Sequence, residues 1–135
     1  TGRLLEVPGA NGDANLRSFM NWEDIANSAG TRQLLDHYQK LGQFRGRHPA
    51  IGAGKHQAIS KSPYVFSRTY ARGTFADQVI VGLKLPSGEK KINVSPVFKD
   101  GDVLWDAYSK QESKVKSGQV TIHSPFDIVL LERRQ

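Results

Sequence analysis

The 135-residue chain has no cysteine and a single methionine. Without thiols it has no disulfides, no zinc finger or iron–sulfur site, and no cysteine nucleophile. No apolar run approaches the ~20 residues that a membrane-spanning helix needs, so no membrane span is expected. Histidine is scarce: the four, at 37, 48, 56 and 123, lack the i, i+4 spacing of a helical metal site and form no HExxH motif. No metal and no cofactor is therefore expected. What is present suits a folded globular chain, with 38% hydrophobic and 24% charged residues. The length is that of one ordinary domain. The chain starts Thr1-Gly2-Arg3 without an initiator methionine, so a piece trimmed from something longer is expected.

The net charge of +6 raises nucleic acid as a partner. The distribution argues against it. Residues 1–58 hold seven Lys/Arg against five Asp/Glu, and residues 59–135 hold twelve against eight. The excess is spread thin, and acids interrupt the Glu89-Lys90-Lys91 and Lys110–Lys116 clusters. Nucleic-acid surfaces gather charge on one face with stacking aromatics between. A solvated, mildly basic surface is expected, with no nucleic-acid partner.

Three stretches differ in pattern. Residues 1–30 are rich in Gly, Asn, Asp and Pro, which marks a long loop. Residues 31–46 predict an amphipathic helix, because Leu34, Tyr38, Leu41 and Phe44 fall on one face; Thr31 or Ser28 would cap it and Pro49 would close it. From residue 59 the period becomes two. Tyr64–Tyr70, Gln78–Leu85, Lys91–Val94, Val103–Asp106, Gln119–Ile122 and Asp127–Leu131 predict about six short strands with turns at Pro86–Glu89 and Asp100–Asp102. The expected fold is mainly β: an antiparallel β-sandwich or partial barrel, preceded by a long loop and one amphipathic helix. The expected division is 1–58 for loop and helix and 59–135 for the sandwich.

No self-contained active site is evident. Asn11-x-Asp13-x-Asn15 copies the start of a calcium loop, but Leu16 and Trp22 stand where its Gly and Glu should be. His123, Ser124 and Asp127 lack the glycine framing of a nucleophile elbow. Glu23-Asp24 are adjacent and point apart, and Asp100 and Asp102 share a turn. Neither pair suits a glycosidase, which holds two carboxyls across the scissile bond. Trp105 and Tyr108, near a strand end, read as core rather than as an exposed sugar platform.

Two segments carry a resemblance. Arg17-Ser18-Phe19-Met20-Asn21-Trp22-Glu23-Asp24 resembles the R-x-x-M-x-W-D segment of α-amylase-type glycoside hydrolases of family 13. Leu34 to Ile51, ending Arg45-Gly46-Arg47-His48-Pro49-Ala50-Ile51, resembles that family's last barrel helix with its H-P-A segment. Strands after Gly54 fit the sandwich that closes such enzymes. The resemblance implies that residues 1–58 are the loop and last helix of a (β/α)8 catalytic barrel. It implies that the catalytic carboxylates lie upstream, so that this piece has no catalytic residue of its own. It also implies a structural, stabilising role beside the upstream catalytic barrel of a parent that acts on α-glucosidic bonds. Arg17 is implied as a substrate-binding residue in the intact parent, with Trp22 and Trp105 as candidate sugar-stacking rings. The alternative is a starch- or maltodextrin-binding module, with α-glucan as partner. Uncovered, the helix face is expected to drive self-association or to dock on the sandwich. The sequence leaves the compartment open; a periplasmic or secreted parent is compatible with the resemblance.

Overall fold

A computed structural model describes residues 22–134. Arg17, the Asn11–Asn15 segment and most of the expected 1–30 loop lie outside the described residues. Two compact units divide between Gln39 and Lys40.

Helical structure is more extensive than the single predicted helix. It comprises α1 (Trp22–Asn27), α2 (Ala29–Arg47) and α3 (Pro49–Ala53). Of the two candidate caps, Ser28 takes the position: its Oγ accepts the Thr31 N–H at 3.3 Å, three residues on. Pro49 does more than end α2. It opens α3, because a first helical residue needs no N–H donor. In the first unit, Trp22, Leu34 and Tyr38 are exposed. The expected apolar face is therefore not uniform, since Leu41 and Phe44 belong to the core of the second unit.

The second unit holds eight strands rather than six. They are β1 (Lys55–Lys61), β2 (Tyr64–Arg72), β3 (Phe75–Leu83), β4 (Gly88–Asn93), β5 (Val103–Asp106), β6 (Gln111–Lys114), β7 (Gln119–Ser124) and β8 (Ile128–Arg133). A six-stranded sheet runs β1-β2-β3-β8-β5-β6 and a two-stranded sheet pairs β4 with β7. Every pairing is antiparallel. The mainly β, sandwich-type architecture agrees with the sequence reading.

Alternation along the central strands builds two cores. Ile80, Leu104, Val129 and Leu131 face Ile92, Val120 and Ile122 of the small sheet. Val79, Val81, Ile128 and Leu130 point the other way and pack with Phe44, Leu41 and Ile51. Strands β3 and β8 are thus apolar on both faces, because each face has a layer to cover it. The side chain of Gln111 exchanges hydrogen bonds with the backbone of His123, and Ser113 Oγ accepts the Thr121 N–H at 3.1 Å, so β6 is tied to β7 at the sandwich edge.

One residue breaks the binary pattern. Lys90 was expected in a solvated charge cluster, yet its side chain points inward and is buried. Its Nζ donates to Gly88 O at 3.1 Å, Ser124 O at 2.5 Å and Ser124 Oγ at 3.1 Å, which matches the three donors of an ammonium. Burial lowers its pKa from the usual 10.5, against upward pulls from Asp106 and Asp127. The unfolded chain holds this proton to higher pH than the folded one. The Lys90 contribution is therefore complete above 10.5 and is lost as pH falls through the lowered folded-state value. Urea unfolding of the wild type, compared with Lys90→Met, is expected to gain relative stability as pH rises toward 10.5. A difference that stays flat with pH contradicts this account.

Candidate functional site

The most connected side chains of the second unit lie where α2 hands over to the sandwich. His48 follows the last turn of α2 in an extended conformation, φ −117° and ψ 93°, which aims its ring at the sheet. Phe44, one turn earlier, supports that ring with a centroid separation of 4.6 Å. Asp77 comes from β3 and Glu132 from β8, neighbouring strands whose register pairs Val79 with Glu132.

The imidazole bridges them. Its Nδ1 lies 2.8 Å from Asp77 Oδ1 and its Nε2 lies 2.5 Å from Glu132 Oε2. One ring nitrogen thus meets each of the two carboxyl groups. The remaining oxygens are engaged as well. Asp77 Oδ2 accepts the Ala50 N–H at 2.9 Å, and Glu132 Oε1 accepts from Arg47 Nη2 at 2.9 Å. Arg68 Nε closes the circuit by donating to Ala50 O at 3.1 Å. This explains the His48-Pro49-Ala50 run residue by residue. His48 clamps two strands, Pro49 starts α3, and Ala50 is fully buried with both backbone groups held from β2 and β3. Gly54 ends the turn because a Cβ there would stand 2.5 Å from Ala50 O and 2.7 Å from Thr69 O.

Beside the clamp opens a cleft of about 360 Å³, lined by Arg47, His48, Phe75, Ala76, Asp77, Trp105, Glu132, Arg133 and Arg134. It holds two carboxylates, but all four of their oxygens already accept hydrogen bonds from the chain itself.

The sequence-derived candidates are placed as follows. Arg17 lies outside the described residues. Trp22 is 71% exposed on α1, in the first unit, whereas Trp105 belongs to the second. Trp105 corrects the core expectation: it is half-buried, lines the cleft and belongs to neither core, because its ring sits under the Arg134 guanidinium at 5.4 Å. Tyr108 is core, as expected. His123 is exposed, 3.5 Å from Glu89, while Ser124 is buried against Lys90, so they form no triad. Asp100 and Asp102 serve turns. Asp100 accepts the Ser117 and Gly118 N–H groups, and Asp102 accepts the Lys99 N–H and a two-pronged Arg133. Among the described residues no group of His, Asp or Glu is arranged to hold a metal.

Residue spacing missed Asp106. This fully buried aspartate accepts from Leu130 N at 2.8 Å, Tyr108 N at 3.1 Å, Ser109 N at 3.2 Å and the Ser109 hydroxyl. The one available signal was an Asp at the inward-facing end of the Val103–Asp106 alternation.

A helix clamped onto an antiparallel sandwich is the arrangement to set against known proteins. No family model matches the chain. The periplasmic α-amylase of Escherichia coli (strain K12) is 46% identical over 55 residues, 40% of this chain and 8% of that protein. Among solved structures, an Anoxybacillus α-amylase superposes with a TM-score of 0.62 at 20% identity, covering 93% of this chain and 27% of that one. AmyP in complex with maltotriose gives a TM-score of 0.56 at 19% identity over 93% of this chain and 24% of that one. AmyP with maltose gives 0.54 at 21% over 91% and 23%. The chain spans less than a third of each of these relatives. The structural likenesses speak to fold and the 46% match to descent. These likenesses support a C-terminal part of an α-amylase-type enzyme as what the chain is similar to.

Proposed function

We propose that this chain is the non-catalytic, stabilising C-terminal portion of a hydrolase that cleaves α-glucosidic bonds. Its work is to hold the last barrel helix onto a β-sandwich beside the upstream catalytic barrel. The observation that carries this reading is the His48 clamp. The most elaborate polar arrangement among the described residues joins helix to sheet and spends its carboxylates on that joint. In the parent, a retaining two-carboxylate mechanism would run on upstream residues, with Arg17 reaching the sugar. The exposed Leu34 and Tyr38 would face the barrel, where burial is worth ~1.5–3 kcal/mol for each large apolar side chain. Without that partner, the same face is the surface through which the chain would self-associate.

The test is direct. Incubated alone with soluble starch, the chain is expected to release no reducing ends. Release that disappears in an Asp77→Asn or Glu132→Gln variant would place catalysis in the cleft and overturn the reading.

A further inference from the structure

We propose that a second cavity, at the β1–β2 hairpin between Lys61 and Lys84, is a binding site for a small organic phosphate monoester. Its volume of about 510 Å³ falls within the ~300–1,000 Å³ of small-molecule sites.

Strand register brings the two lysines to one place. Lys61 pairs with Tyr64 across the hairpin, and Tyr64 pairs with Leu83 on β3. Paired residues share a face, and neighbouring strands stand ~4.8 Å apart, so Lys61 and Leu83 are two strand spacings from each other. Lys84 needs a further device, because strict alternation would send it to the face opposite Leu83. It adopts φ 57°, in the left-handed region that a residue with a Cβ seldom occupies, and there the alternation breaks. Lys84 thereby lines the same cavity as Leu83 and Lys61. Backbone strain of this kind gathers at ligand sites, where it sets a side chain in place.

The charges select for an anion. Among the described residues no carboxylate lines this cavity, and neither ammonium group takes part in an ion pair or hydrogen bond. The arginines of the other cleft differ, since Arg47, Arg133 and Arg134 each pair with a carboxylate. Two uncompensated point charges favour a dianion over a monocarboxylate, and a phosphate monoester carries a charge of about −1.5 to −2 at pH 7.

The walls suit the organic part of the ligand. Pro63, Pro86 and the half-buried Tyr64 border the two charges. The Tyr64 ring is held by its hydroxyl, 2.9 Å from His56 Nε2, and by Phe66 with centroids 5.3 Å apart. A flat apolar body attached to the phosphate would lie against these fixed surfaces.

The experiment is a calorimetric titration of the full 135-residue chain with phenyl phosphate at low salt. Saturable binding is expected, at least about tenfold tighter than that of inorganic phosphate or benzoate, and weakening as sodium chloride is added. Lys61→Gln and Lys84→Gly should each weaken it about tenfold. Lys84→Gly removes the cation and the strain together, so its melting temperature is expected to hold or rise while affinity falls. Arg134→Gln, in the other cleft, should bind as the wild type does. No saturable binding, equal affinity for inorganic phosphate or benzoate, wild-type affinity in either lysine variant, or an equal loss in Arg134→Gln would each overturn the proposal.

Discussion

Asp106→Ala is expected to cost about 3–5 kcal/mol, enough to leave much of the chain unfolded at 37 °C. Domains of this size have only ~5–15 kcal/mol in total. The carboxylate is fully buried and accepts three backbone N–H groups and the Ser109 hydroxyl. Removing it strands the Leu130 and Tyr108 N–H groups in the interior and takes the acceptor from the part-buried Ser109 groups. It also removes the bond to Leu130 N, through which the turn after β5 is tied to the central strand β8. Asp106→Asn keeps one accepting oxygen and turns the other position into a donor facing donors, so it should lose most of the same stability. Urea unfolding followed by circular dichroism measures both; a loss below about 1 kcal/mol in the alanine variant contradicts the role given to this residue.

His48→Ala has the second largest expected effect, about 3 kcal/mol, and a local signature. Without the imidazole, Asp77 and Glu132 lose the hydrogen-bond partner between them and are left as two partly buried carboxyl groups with one oxygen each unsatisfied. The Ala50 N–H bond to Asp77 Oδ2 depends on that aspartate staying in place. Amide exchange at Ala50, Ile51 and Gly54 should therefore speed up well before exchange in the β4–β7 pair, whose core contacts do not involve the clamp. Uniform acceleration through the whole sandwich would mean that His48 supports general stability and no particular joint.

These two residues mark what a sequence reveals and what it withholds. The helix body and strands β2, β3 and β8 were legible because burial imposes a period: Val79, Val81 and Ile80 alternate between two covered faces. Strands β1 and β6 were not, since Lys55–Lys61 and Gln111–Lys114 lie at the two ends of the six-stranded sheet and are held by backbone pairing that leaves no apolar pattern. Short α1 was lost for a related reason, having no buried residue to set a rhythm. Inward-pointing charges were also hidden. Lys90 and Asp106 sit at positions where alternation demands an apolar side chain, and only the partners they meet, far along the chain, make them acceptable there. His48 was visible through the resemblance of its His-Pro-Ala run, but its task needed the distance from Asp77 to Glu132 in three dimensions. The Trp105 cleft likewise joins β3, β5 and β8, which no local spacing brings together.

The most direct measurement of the central claim is starch hydrolysis by a chimera in which this chain replaces the C-terminal part of the Escherichia coli periplasmic α-amylase. The account expects the chimera to hydrolyse starch within about tenfold of that enzyme, while the same barrel truncated without the chain is inactive or insoluble. A folded chimera without activity, or a truncated barrel as active and soluble as the chimera, would contradict it.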